Sequence, residues 1–93
     1  MRVSILDPEG NLICRGEVSA GDDGRLALAV GPAARGVLFD HYFLRGQRRV
    51  VLSSDDVSIP CDLRTSWGGS QRLWWLLPLP GISRMVEPGA LTA

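Results

Sequence analysis

The run Arg72-Leu73-Trp74-Trp75-Leu76-Leu77-Pro78-Leu79-Pro80 is the densest apolar stretch of the chain and restricts its fold more than any other segment. In a strand, side chains alternate between faces, so Leu73, Trp75 and Leu77 point one way while Trp74 and Leu76 point the other. Both faces then need cover. That is the situation of a central strand in a small barrel or sandwich, or of a strand whose second face meets a partner. Nine residues holding two prolines fall far short of the roughly 20 that a helical bilayer span needs, so no membrane span is expected.

The remaining segments agree with a sheet. Residues 2–6 predict a first strand with Val3 and Ile5 on one face, and Asp7-Pro8-Glu9-Gly10-Asn11 predicts a turn. Residues 12–20 form a second strand, placing Leu12, Cys14 and Val18 inward and Arg15, Glu17 and Ser19 toward water. Gly21-Asp22-Asp23-Gly24 closes a hairpin into residues 25–30, where Leu26, Leu28 and Val30 face the core. Residues 31–36 are expected to be a loop, and residues 37–44 a buried strand returned by Arg45-Gly46-Gln47 into residues 48–54. Pro60 assigns residues 57–63 to an irregular or edge strand. Residues 64–71 are expected to be a polar loop.

Turns every eight to twelve residues and the lack of a long helical period give an all-β fold: one small antiparallel barrel or sandwich of about six or seven strands. The domain is expected to span residues 1–80. Residues 81–93 would be a tail, with at most one helical turn near Ser83–Glu87 and a frayed end.

Ten arginines balance ten acidic side chains, and lysine is absent. Zero net charge argues against non-specific nucleic-acid binding, which needs a strongly basic face. The N-terminal residues carry no signal-peptide pattern, so the cytoplasm is the expected compartment, with Cys14 and Cys61 as reduced thiols. No phosphate-cradling or dinucleotide glycine motif is present. One histidine and two distant cysteines do not supply a zinc site, and Asp22 and Asp23 lack the ligand series of a calcium loop. A thiol–imidazole pair from Cys61 and His41 has no sequence feature placing the two together. His41 lies among large apolar neighbours and reads as a core residue. The chain is therefore expected to be non-enzymatic and to use no cofactor.

Two groups of residues suit binding instead. Trp67, beside Gly68-Gly69, is an indole that a loop need not bury, and with Trp74 and Trp75 it forms the expected interface set. Burying one indole of roughly 150–250 Å² is worth about 4–6 kcal/mol at roughly 25 cal/mol/Å². A chain this short is not expected to cover both faces of the tryptophan strand alone. A protein partner or a homo-oligomer follows as the leading expectation. The second group is Arg45, Arg48 and Arg49, three guanidinium forks on one expected hairpin turn, suited to clamping phosphates.

At these residues the chain resembles PilZ domains. Arg45 and Arg49 fit that family's Arg-x-x-x-Arg spacing, and Asp56-Val57-Ser58 resembles the start of its Asp/Asn-x-Ser-x-x-Gly motif, with Cys61 where the family has glycine. The resemblance implies a small β-barrel and a cyclic dinucleotide, cyclic di-GMP, as ligand. It implies that Arg45 and Arg49 grip phosphate and guanine while Asp56 and Ser58 contact the ligand from the barrel. The turn segments Asp7-Pro8-Glu9-Gly10-Asn11 and Asp23-Gly24-Arg25-Leu26 are similar to those of prealbumin-type sandwich modules.

Overall fold

Apolar alternation broken by short glycine and aspartate turns produces strands long enough to close on themselves. The computed structural model describes residues 1–21 and 23–79. Among them are β1 (Arg2–Leu6), β2 (Leu12–Ala20), β3 (Leu26–Ala29), β4 (Arg49–Ser54), β5 (Val57–Gly68) and β6 (Gln71–Pro78). They form one closed antiparallel barrel in the order β1-β2-β3-β6-β5-β4, with β4 pairing back onto β1. Closure removes the sheet edges around most of the circumference.

Turn chemistry fixes the register. Asp7 Oδ1 accepts hydrogen bonds from the backbone N–H groups of Glu9 and Asn11, both at 2.9 Å, and Gly10 takes φ +93°. An aspartate folding its own backbone in this way needs no further partner. Val3, Ile5, Val18, Leu28, Val50, Leu52, Leu63 and Leu76 point inward and are buried, as the alternation requires. Trp74 is only 4% exposed, whereas Trp75 on the opposite face is half-buried.

Leu12 departs from the expected inward face and is exposed. Ile5 pairs with Cys14 but Leu6 pairs with Leu12, so Ile13 is an extra residue bulging from β2. The bulge gives Leu12 the outward parity of Leu6.

The largest correction concerns residues 31–44. The expected loop and strand are a helix, α1 (Pro32–Phe39), continued by a π-helical turn, Asp40–Leu44. Gly31 is extended and Pro32 occupies the first turn, where a missing N–H loses no intrahelical bond. The Arg45 N–H donates to the Asp40 carbonyl at 3.0 Å and closes the wide turn. Ala34, Leu38, His41 and Tyr42, at helical spacing, turn toward the core, and Leu38, His41 and Tyr42 are buried. This segment connects β3 to β4, which lie on opposite sides of the closed ring, and so it caps one barrel mouth. Arg45-Gly46-Gln47 accordingly leads from the cap into β4 and is not a hairpin turn.

Two other expectations change. β5 is a twelve-residue interior strand that includes Pro60, paired between β4 and β6. The Pro60 carbonyl accepts from the Leu79 N–H at 3.1 Å, past the end of β6, so the N–H that proline lacks falls where that ladder has already stopped. Residues 64–71 are not a loop. They are the far half of β5 and its two-residue turn Gly69-Ser70 into β6, with Gly69 at φ +69°. The expected tail, residues 81–93, lies outside the described residues.

Gly16 marks a tight point in the wall. A Cβ there would sit 2.6 Å from the Ala29 carbonyl oxygen and 2.8 Å from Val30 Cγ1. Gly16→Ala must push the end of β3 outward and is expected to destabilise the barrel by about 1–3 kcal/mol. Urea unfolding of the two proteins checks this, and equal midpoints would contradict the observed packing.

Candidate functional site

The pairing pattern leaves one part of the sheet outside the barrel. β4 accompanies β5 only as far as Asp62, and β3 accompanies β6 only from Trp74 onward. Residues 64–73 therefore project as a two-stranded arm that no other described strand flanks. The arm extends from the same mouth that α1 covers, because the end of β3 and the start of β4 both lie there.

Trp67 and Arg72 face one another across the arm, on the side shared with the core pair Leu63 and Leu76. Beyond the mouth that side meets the cap instead of the core. The Arg72 guanidinium lies 4.5 Å from the Trp67 ring centre, 4.9 Å from Phe43 and 5.8 Å from Phe39. Its Nη1 donates to Thr65 Oγ1 at 3.4 Å, and the Thr65 hydroxyl donates to the Leu73 carbonyl at 2.8 Å. Phe43 is 4.7 Å from Phe39 and packs edge-on to Tyr42 at 4.8 Å; Tyr42 in turn meets Trp74 edge-on at 5.8 Å. Rings thus run from the buried Trp74 through Tyr42 to Phe43 and Phe39, and the Arg72 guanidinium bridges them to the exposed indole of Trp67. Trp67 is 65% exposed, and Phe39 and Phe43 are each 43% exposed.

An open groove of about 410 Å³ lies between α1 and the arm, lined by Arg35, Phe39, Trp67, Gln71, Arg72 and Trp74 among others. It continues, through Arg35, Gln71, Arg72 and Trp74, into a cleft of about 270 Å³ beside Ala27, Val30, Leu73 and Trp75. No carboxylate, imidazole or thiol is among the described residues that line either one. Rings and guanidinium groups hold ligands by stacking and by charge-assisted hydrogen bonds. A larger, shallow depression of about 570 Å³ on the outside of β1 is lined by Arg2, Arg15, Glu17 and Asp55, a mixed and solvated set.

The sequence-derived candidates distribute unevenly around this groove. Trp67 sits in it, on a strand end and not in a loop. Trp74 only lines its floor, since the barrel and Tyr42 enclose it. Trp75 lies on the outer face, with Arg25 stacked at 4.7 Å and its Nε1 donating to Ser66 Oγ at 3.3 Å. Arg48 stacks on Tyr42 at 4.4 Å, and Arg49 Nε donates to Asp62 Oδ1 at 3.1 Å. Asp56 and Ser58 stand at the other end of the β4–β5 hairpin. Ser58 pairs with Ser53, four residues along β4 from Arg49, a separation of roughly 14 Å along the strand. Arg45 and Arg49 are therefore at the capped mouth, and Asp56 and Ser58 are at the opposite one.

Arg72, Phe39 and Phe43 are site residues that sequence reading missed. The available signal was the cross-strand position of Arg72 opposite Trp67, legible only once residues 64–71 are read as a strand.

The titratable core groups lie apart from this surface. Cys14 and Cys61 are buried and unpaired, and burial pushes both thiols up to about 11. Both should resist iodoacetamide near neutral pH in the folded chain and react readily in denaturant. Rapid labelling of either thiol under native conditions contradicts their placement.

His41 is buried in the π-helical turn, and its Nε2 has no hydrogen-bond partner among the described residues. Burial, together with the nearby Arg45 charge, lowers its pKa from 6.5, and Asp7 acts in the opposite sense. The unfolded imidazole takes up a proton first as pH falls. Stability is therefore retained above about 6.5 and declines as pH drops from there toward the folded value. Thermal melts between pH 7 and pH 5 should show this decline, and His41→Gln should flatten it; an unchanged slope in the variant would assign the effect to other groups.

No protein-family model matches the chain, and no curated protein or solved structure gives a match.

Proposed function

We propose that the chain is a non-enzymatic binding or assembly module that docks another polypeptide, or a second copy of itself, through the face formed by α1, the π-helical turn and the β5–β6 arm. The observation that carries this reading is the exposed Trp67–Arg72–Phe43–Phe39 cluster at the rim of a groove. Aromatic and arginine side chains gathered at the centre of a patch are the composition of interface hot spots. Covering the exposed part of Trp67 alone removes enough apolar surface to contribute about 2–4 kcal/mol. The rings also pack on one another and on a locked arginine, so the surface is preorganised and little side-chain entropy is lost on docking.

Light scattering across a concentration series, joined to affinity capture from the native host, tests the reading. Self-association or a captured protein, lost in Trp67→Ala, is expected. A monomer at every concentration with no captured protein counts against it. Calorimetric titration with cyclic di-GMP separates the competing ligand: heat that disappears in Arg45→Ala and Arg49→Ala would put a nucleotide in place of the polypeptide.

A further inference from the structure

Resting on that docking reading, we propose that the groove receives an acidic, extended polypeptide segment, which sets a carboxylate against Arg72 and Arg35 and a bulky apolar side chain against Phe39 and Trp67. Charge is the first argument. Arg2, Arg25, Arg49 and Arg64 each have a carboxylate within 4 Å, on Glu17, Asp23, Asp62 and Asp62 respectively. Arg35 and Arg72, like Arg15, Arg45 and Arg48, have none among the described residues, and these two line the groove and the adjoining cleft. The chain places two uncompensated cations in its most apolar concavity, and an anionic group is what complements them.

Geometry narrows the partner. Rings approach the Arg72 guanidinium from Trp67 and from Phe43, and one N–H is committed to Thr65. The remaining edge of the planar fork suits the two oxygens of a carboxylate. The backbone supplies a second element, since residues 71–73 have no strand partner on the β3 side among the described residues and the cleft runs along them. A chain in extended form can add there as a strand, its alternate side chains entering the groove. The balanced charge of the whole chain, ten against ten, favours one acidic contact flanked by apolar residues over a polyanion.

Panning a random peptide library on the immobilised full chain tests this, followed by fluorescence polarisation of the most enriched peptide. Enriched sequences should place Asp or Glu next to Trp, Phe or Leu. Replacing those acids by their amides, or Arg72 by Gln, should weaken binding about tenfold or more. Arg35→Gln, on an exposed helical position, should act in the same direction and leave the melting temperature unchanged. Enriched sequences without acids, equal binding of the amide peptide, displacement by a single-stranded oligonucleotide, or no enrichment at all would each overturn the inference. Acid-free peptides that bind and are lost in Trp67→Ala would leave the docking reading standing and remove only the acidic requirement. A selected peptide indifferent to Trp67→Ala would remove both.

Discussion

Trp74→Ala is expected to lower the stability of the folded chain by about 3–5 kcal/mol, the range for truncating a buried tryptophan. The indole is 4% exposed, lies on the inner face of β6 and receives the edge of Tyr42. Removing it opens the barrel mouth where α1 is seated, so the strand loses its packing and the cap loses part of its seat. Domains of this size commonly have only about 5–15 kcal/mol in total, so the loss is a large share of the whole. Urea unfolding followed by far-ultraviolet circular dichroism measures the change. A loss below about 1 kcal/mol would mean that the ring contact does not hold the cap to the barrel. The Tyr42→Ala and double variants complete a cycle, with an expected coupling of about 0.5–1.5 kcal/mol for the edge-on pair.

Trp67→Ala should behave in the opposite manner. Its ring is 65% exposed and its recorded contact is with Arg72, so folding stability should change by no more than about 1 kcal/mol. Association through the groove should weaken about 30-fold or more, the loss of a hot-spot anchor worth about 2 kcal/mol. Phe43→Ala should follow in the same direction, tempered by the lost contacts with Phe39 and Tyr42. Polarisation or calorimetry with the docked peptide, beside melting curves for the same samples, separates the two effects. A Trp67→Ala protein that binds as wild type does removes the site.

The strands were legible because their apolar residues alternate: Val3 and Ile5, Leu26 and Leu28, Trp74 and Leu76 each declare a face. The cap was not, because residues 37–44 carry apolar side chains at both parities, which alternation alone cannot assign to strand or helix. The deciding signal lay just upstream, in Pro32 after the extended Gly31 and in the spacing of Ala34, Leu38, His41 and Tyr42. Pro60 misled because the rule against proline in interior strands concerns its missing donor, and here that donor falls beyond the end of β6. For the candidate site, Trp67 stands out through its glycine neighbours, but Arg72 comes from β6, and Phe39 and Phe43 of the cap reach it only because the arm is long enough to bring Arg72 against them. The length of the β4–β5 hairpin separates Arg45 and Arg49 from Asp56 and Ser58, which are close in sequence and stand at opposite mouths.

Hydroxyl-radical footprinting of Trp67 reads whether a partner covers the groove. The chain is probed alone and in a native extract at its natural level, with exposed Leu12 as the internal reference. Oxidation of Trp67 and Phe43 should fall several-fold in the extract while Leu12 reacts equally in both. Equal oxidation of Trp67 in the two samples would contradict a docking role for this face.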